Sequence, residues 1–173
     1  MIDITLPDGT IKQVEKKSTA MDVALSISEG LARNVLAAEV DGFIVDAYLP
    51  IEASASVKLL TWNDEGGKST MWHSSAHLMA EAIQFYYPNA KFAIGPPIEK
   101  GFYYDIDFMG ESFSENDLQK IESKMKELAK AKNQYIREEI SKKDAISYFK
   151  TKEDPYKLEL LEGLEDGAIT FYT

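Results

Sequence analysis

Residues 71–87 read MWHSSAHLMAEAIQFYY, and the rest of the chain can be arranged around this stretch. It is rich in good helix formers and Ser69 or Thr70 can serve as an N-cap, so the pattern predicts a helix. The helix would carry the only two histidines of the chain, His73 and His77, four residues apart. That spacing places both imidazoles on one face of a helix. Most of the remaining circumference is apolar, which predicts a largely buried helix with one polar stripe.

The histidine pair by itself is compatible with a solvated helix face or with several kinds of functional site. A solvated polar face is the commonest reason for such a pair, and a metalloprotease would need Glu directly after the first histidine, where this chain has Ser74. A zinc site needs at least three protein ligands. The chain has no cysteine and no third histidine, so further ligands would have to be Asp, Glu or groups from outside it. A metal-dependent hydrolase using His73 and His77 therefore stays open as an alternative.

Length and composition are those of a globular protein. The 173 residues suffice for one or two domains with a real core, and 45% hydrophobic and 28% charged residues are ordinary values. There is no apolar run of 18 residues and no signal-peptide pattern, and the lack of cysteine fits a cytosolic protein. The net charge of −10 repels a phosphate backbone, so a nucleic-acid partner would need a local basic patch or another segment.

The first 62 residues alternate in short runs separated by turn signals. Residues 2–6 and 10–14 flank a tight turn and predict a hairpin, and residues 18–30 predict a short helix. The strands predicted after it lie at residues 34–40, 43–47 and 55–61. Two hairpins flanking one helix indicate a small mixed sheet wrapped on a helix, which is the β-grasp, ubiquitin-like α+β plan.

Residues 63–68, NDEGGK, are polar, contain a Gly-Gly pair and show no periodicity. They predict a linker between a domain at residues 1–62 and a second domain at residues 69–173. After the histidine helix the predicted elements are strands at 91–94 and 101–108, a helix at 114–132, a strand at 135–140, helices at 141–149 and 154–161, and a strand at 168–173. The second domain is therefore predicted to be α+β, with helices packed on a sheet.

Several motifs in a fixed order carry a family likeness: LPDG, MDVA, HSSAHLMAEAI, AIGPPIEKGFYYDIDF and DPYKLELL. Together they closely resemble the amino-terminal part of bacterial threonyl-tRNA synthetases, over the whole chain. The resemblance implies a TGS domain, the β-grasp module shared with certain GTPases and alarmone synthetases, followed by the start of a proofreading domain. In this family, as in the related alanyl-tRNA synthetase editing domain, the pocket resembles HxxxH followed later by CxxxH. The chain has the first motif and lacks the second, so we expect an editing domain truncated at its C-terminal side.

The resemblance also implies roles for individual residues. His73 and His77 match the editing histidines, Lys157 in PYK matches a lysine of the editing chemistry, and Tyr104 in GFYYD matches a pocket tyrosine. It thus implies His73 and Lys157 as catalytic residues, His77 and Tyr104 as substrate-binding residues, and no metal ligands. The patterns alone would favour a sheet-face aromatic at Tyr104 and a surface lysine at Lys157.

The implied whole enzyme is a cytoplasmic ligase that attaches threonine to tRNA-Thr using ATP. This region would serve proofreading by hydrolysing misacylated seryl-tRNA-Thr. ATP, Mg and Zn would be used by the absent catalytic domain, so no cofactor is expected here. On its own the region is expected to be an inactive monomer that binds tRNA-Thr weakly and no membrane, whereas the family forms homodimers through other domains. A non-enzymatic β-grasp interaction module is the remaining alternative.

Overall fold

The computed structural model describes residues 1–133, 135–165 and 167–172, and the chain divides into two compact units. Unit 1 comprises Met1–Ser74 and Pro97–Gly101, and unit 2 comprises Ser75–Pro96 and Phe102–Thr173. In chain order the elements are β1 (Ile2–Thr5), β2 (Ile11–Val14), α1 (Ala20–Ile27), α2 (Glu29–Ala32), β3 (Ala37–Val40), β4 (Phe43–Val45), β5 (Ala55–Leu60), α3 (Glu65–Tyr86), β6 (Lys91–Phe92), β7 (Pro97–Ile98), β8 (Gly101–Phe102), β9 (Ile106–Asp107), α4 (Glu115–Ala131), β10 (Arg137–Ser141), α5 (Lys142–Thr151), α6 (Pro155–Glu162) and β11 (Ala168–Tyr172). Thr173, the last residue of the strand predicted at 168–173, lies outside the described residues.

Five strands of unit 1 form a mixed sheet in the order β2-β1-β5-β3-β4. β1 and β5 run parallel, while the neighbours β1–β2, β3–β4 and β3–β5 are antiparallel. Helix α1 packs on the sheet, and the core between them contains the fully buried side chains Ile4, Val23 and Val57. Burying a side chain of this kind stabilises a fold by about 1.5–3 kcal/mol. The predicted β-grasp, α+β fold is confirmed.

The single helix predicted at residues 18–30 is two helices in the structure. Thr19 caps α1 through a capping box with Asp22, and the helix ends at Ile27. Ser28 then adopts an extended conformation, and its side chain accepts a hydrogen bond from the Leu31 N–H at 3.0 Å, which starts α2. A serine that satisfies the first N–H groups of a second helix interrupts the first one.

The structure corrects the conformation predicted for the linker, because α3 already begins at Glu65. A Cβ atom on Gly67 would lie 1.9 Å from the Thr61 carbonyl oxygen, and one on Gly66 would lie 2.7 Å from Cδ1 of Ile44. The glycine pair thus allows the first turn of α3 to lie against the end of β5 and against β4. Glycine is the residue that permits a close approach between backbones, and it is also typical of flexible linkers. The sequence pattern therefore does not distinguish a closely packed helix start from a linker.

The N-cap predicted at Ser69 or Thr70 is also wrong, since both residues lie inside α3. The Thr70 hydroxyl donates to the Gly66 carbonyl oxygen at 2.9 Å, which is the bond that a hydroxyl makes within a helix. The division between the two units falls inside α3. The domain bounds 1–62 and 69–173 therefore stay a prediction.

Unit 2 packs α3 and α4 on short strands. The helix start predicted at Ser114 is confirmed, because the Ser114 N–H donates to Oδ2 of Asp117 at 3.0 Å, one of the two bonds of a capping box, and the Ser114 hydroxyl donates to the same oxygen at 2.6 Å. The strand predicted at residues 101–108 is two short strands, β8 and β9, and β9 pairs with β6. The buried core consists of Ala82, Ile83, Tyr87, Ala90, Phe92 and Ile121. Helices on short strands agree with the α+β character predicted for this part of the chain.

Candidate functional site

Tyr104 and Lys157, two of the four predicted site residues, are anchored on the same stretch of backbone in unit 2. This stretch is residues 92–95, at the end of β6. The Ala93 N–H donates to the Asp105 carbonyl oxygen, and the Asp105 N–H donates to the Ile94 carbonyl oxygen, each at 2.9 Å. These two bonds continue the β6–β9 pairing and hold the stretch in place.

The Tyr104 ring lies against this stretch. Its centroid is 5.4 Å from that of Phe92, and a Cβ atom on Gly95 would lie 2.6 Å from Cδ2 of Tyr104. Glycine is therefore the residue that leaves room for the ring. Burial raises the pKa of Tyr104, and the charge of Asp154 raises it further. The phenol is protonated at neutral pH and can donate a hydrogen bond.

Lys157 reaches the same stretch from α6. Asp154 is the N-cap of this helix, and its Oδ1 accepts a hydrogen bond from the Lys157 N–H at 3.0 Å. Nζ of Lys157 donates to the Ala93 carbonyl oxygen, also at 3.0 Å. Burial lowers the pKa of Lys157, and the nearby Asp154 carboxylate opposes that shift. The side chain is partly buried, unlike the surface lysine that the sequence pattern alone would favour.

Sequence reasoning missed Asp154 as a member of this cluster. The Asp-Pro pair indicated only where a helix starts. In the structure the Asp154 charge acts on both Tyr104 and Lys157, which are distant from each other in sequence. Only the β6–β9 pairing and the position of α6 bring these three residues together, and the local pattern carries no signal for that.

His73 and His77 lie on α3, as predicted, and both side chains are exposed. His73 belongs to unit 1, whereas His77 belongs to unit 2 with Tyr104 and Lys157. Each histidine takes part in further interactions. Tyr104 and Lys157 thus contact the same stretch of backbone, and the Asp154 charge acts on both of them. The roles of all four predicted residues stay predictions.

Among residues 1–133, 135–165 and 167–172, no group of three or more His, Cys, Asp or Glu side chains is arranged to hold a metal ion. In the same ranges no helix combines the length and apolar character needed to cross a membrane.

In this cluster, the Tyr104 phenol and the Lys157 ammonium can donate hydrogen bonds to a group that gains negative charge, whereas the Asp154 carboxylate can only accept them. A partly buried ammonium stabilises an oxyanion more strongly than one in water, because the surrounding dielectric constant is lower. The phenol of Tyr104 adds a second donor on the same stretch. The arrangement therefore suits acyl chemistry at an ester or amide carbonyl.

A second pair in unit 2 supports the start of α6 and predicts a pH dependence. The Tyr156 hydroxyl donates to Oδ2 of Asp107 at 2.7 Å, which lowers the pKa of Asp107 and raises that of Tyr156. The bond needs an ionised carboxylate and a protonated phenol. Its stabilisation is therefore present between about pH 4 and 10, is lost as pH falls through the lowered pKa of Asp107, and is lost as pH rises through the raised pKa of Tyr156.

Tyr156→Phe is expected to lower the free energy of unfolding at pH 7 and to leave it nearly unchanged below the pKa of Asp107. Urea denaturation at pH values from about 2 to 7 would measure this difference. Tyr148→Phe is the control, because the Tyr148 ring is exposed and lies against Phe149 and Phe171. An equal loss from Tyr156→Phe at every pH would contradict the assigned hydrogen bond.

Residues 2–61 match the TGS domain family. The chain is 65% identical over 172 residues to the threonine–tRNA ligase of Cytophaga hutchinsonii, covering 99% of this chain and 27% of that protein. It is 51% identical to the threonine–tRNA ligases of Parabacteroides distasonis, over 173 residues, and Porphyromonas gingivalis, over 174 residues, each covering 100% of this chain and 27% of the relative.

The chain thus spans about a quarter of the length of the curated relatives that it matches. Both parts of the predicted resemblance are confirmed, the TGS domain and the likeness to threonyl-tRNA synthetases. The chain corresponds to the amino-terminal region of threonine–tRNA ligases, and its residues 2–61 are a TGS domain.

Proposed function

We propose that this region proofreads tRNA charging by hydrolysing the ester that joins serine to tRNA-Thr. The observation that carries the proposal is the position of the partly buried Lys157, whose ammonium donates to the Ala93 carbonyl oxygen in the residue 92–95 stretch, against which the Tyr104 ring also lies. Both residues are those that the threonyl-tRNA synthetase resemblance implies for editing. Support thus comes from two directions, the cluster geometry and the match to threonine–tRNA ligases along the whole chain.

The need for a second site follows from the sizes of the two amino acids. Serine lacks one methyl group of threonine, and a missing methyl group in a binding pocket is worth only about 1–3 kcal/mol of discrimination. That is a factor of roughly 10–200, which is too small for accurate protein synthesis. A hydrolytic site that admits the smaller amino acid removes the wrong product after it has formed.

In this mechanism a water molecule attacks the ester carbonyl of seryl-tRNA-Thr. His73 accepts the proton of that water, since an imidazole can accept and donate a proton near neutrality. The Lys157 ammonium stabilises the oxyanion of the tetrahedral intermediate. His77 and Tyr104 bind the seryl-adenosine end and shape the pocket. His73 then gives the proton to the ester oxygen, which leaves as the 3′-hydroxyl of the terminal adenosine, and free serine is released.

Other parts of a longer protein complete the function. The chain contains no cysteine, so a CxxxH motif would be supplied by sequence outside it. Attachment of threonine to tRNA-Thr, with its ATP, Mg and Zn, and the homodimer contact belong to the catalytic region of the whole enzyme, which acts in the cytoplasm. The charge of −10 favours weak tRNA binding by this region alone, and we propose that it is inactive by itself.

A chimera tests the proposal. This chain would replace the matching 27% of the Cytophaga hutchinsonii threonine–tRNA ligase, with which it shares 65% identity. Deacylation of seryl-tRNA-Thr and threonyl-tRNA-Thr would be measured for the chimera, the His73→Ala chimera and the 173-residue chain. The expected result is that the chimera hydrolyses only the seryl ester, that His73→Ala slows this by about 100-fold or more, and that the isolated chain is inactive.

The other outcomes favour other functions. A chimera that charges tRNA-Thr but leaves the seryl ester intact would contradict proofreading and favour the interaction module. Robust hydrolysis by the isolated chain would contradict its predicted dependence on other sequence. About one equivalent of zinc in the purified chain, lost in His73→Ala, would instead support the metal-dependent hydrolase.

A further inference from the structure

Asp154 occupies a position that nothing in the proposed mechanism uses. It is partly buried at the start of α6, and its Oδ1 is bound to the Lys157 N–H at 3.0 Å. Pro155 fixes the backbone at the first position of the helix. Lys157 is therefore fixed at both ends of the residue. Its backbone N–H is bound by Asp154, and its side-chain Nζ is bound by the Ala93 carbonyl oxygen.

We propose that Asp154 is a positioning residue for Lys157, which directs the lysine ammonium onto the residue 92–95 stretch. The inference rests on the proposed proofreading function and names a residue that acts through Lys157 without touching the ester. A helix cap needs only a side-chain oxygen, and Ser or Asn would supply it equally well. A carboxylate adds a negative charge at the one place where a partly buried lysine must remain an ammonium.

The charges around Lys157 are consistent with this role. Burial lowers the pKa of Lys157, and Asp154 is the group that raises it again. Asp154 lies at the start of α6, and its charge also raises the pKa of Tyr104, whose phenol is neutral at pH 7. On α6 itself, Tyr156 turns its hydroxyl to Asp107, and the Glu159 side chain is exposed. Without the Asp154 charge, burial alone acts on the lysine, and its ammonium form becomes less stable.

Asp154→Asn separates the charge from the cap, because asparagine is an equally good N-cap residue. Glu159→Gln is the matched control, since it removes one negative charge from the exposed surface of the same helix. The lysine Cε atoms of the 173-residue chain would be labelled with ¹³C, and the Lys157 signal identified by its loss in Lys157→Met. Thermal unfolding at pH 7 would verify that both variants remain folded.

The expected result is a lower pKa for Lys157 in Asp154→Asn and an unchanged one in Glu159→Gln. No shift in Asp154→Asn, or an equal shift in both variants, would overturn the positioning role. In the chimera, Asp154→Asn should move the alkaline limit of deacylation to lower pH, whereas Glu159→Gln should not. The lysine titration does not depend on enzymatic activity. An unchanged pKa of Lys157 would therefore contradict the positioning role, whereas an absence of deacylation would contradict the proposed function.

Discussion

Gly67→Ala is expected to lower the free energy of unfolding of unit 1 by about 3 kcal/mol, at the upper end of the cost of overpacking. The added Cβ would lie 1.9 Å from the Thr61 carbonyl oxygen and 2.7 Å from its carbonyl carbon. Both are backbone atoms at the end of β5, which cannot move aside as a flexible side chain would. The first turn of α3 must therefore shift away from the sheet.

Tryptophan fluorescence during urea denaturation measures this effect. The chain has two tryptophans, Trp62 and Trp72, whose rings meet edge to face in unit 1 with centroids 5.4 Å apart. Trp62 follows β5 and Trp72 lies on α3, so their emission reports on the contact that Gly67→Ala disturbs. Gly30→Ala is the control, because its Cβ would meet only the Ser28 hydroxyl at 3.9 Å and alanine is favoured in a helix. Equal stability of the two variants would contradict the close approach.

Lys157→Met is expected to slow deacylation of seryl-tRNA-Thr by the chimera by about 100-fold, the usual cost of removing one group that stabilises an oxyanion. Methionine nearly matches the length of the lysine stem and fills the same partly buried space without a charge. Thermal unfolding should change little, since removing a partly buried charge offsets the loss of its bond to the Ala93 carbonyl oxygen. A loss of rate without a loss of stability would separate chemistry from packing.

Lys150→Met provides the matched control for this measurement. Lys150 is an exposed residue of α5 in the same unit, and the substitution removes the same charge. It should leave the rate of deacylation almost unchanged. If both variants slowed the reaction equally, the lysines would act through general attraction to tRNA, and Lys157 would lose its assigned role at the oxyanion.

The β-grasp sheet could be predicted because its signals are local. Asp8 and Gly9 mark the turn of the first hairpin, and Thr19 with Asp22 marks the start of α1. Caps and tight turns depend on residues three or four positions apart, which a single sequence displays directly. The helix start at Ser114 was predictable for the same reason.

The errors occur where residues distant in sequence meet. Gly66 and Gly67 have the composition of a linker, yet they lie in a helix. Their lack of a side chain leaves room for β4 and the end of β5 to approach that helix closely. The partial burial of Lys157 depends in the same way on Ala93, a residue 64 positions away. The family resemblance indicated Lys157 and Tyr104, whereas the influence of the Asp154 charge on Tyr104 emerged only from the fold, because these two residues are distant in sequence.

The parallel pairing of β1 with β5 affects how unit 1 forms during synthesis. β5 is the last strand of the sheet to be made and also its central strand. The Asp3 N–H reaches the Ser54 hydroxyl at 2.9 Å across 51 residues of sequence. At roughly 5–20 residues per second on the ribosome, the first hairpin waits roughly 2–9 seconds for this partner. Isolated hairpins are only marginally stable, so the unjoined strand edges stay open to chaperones or wrong partners until β5 inserts between them.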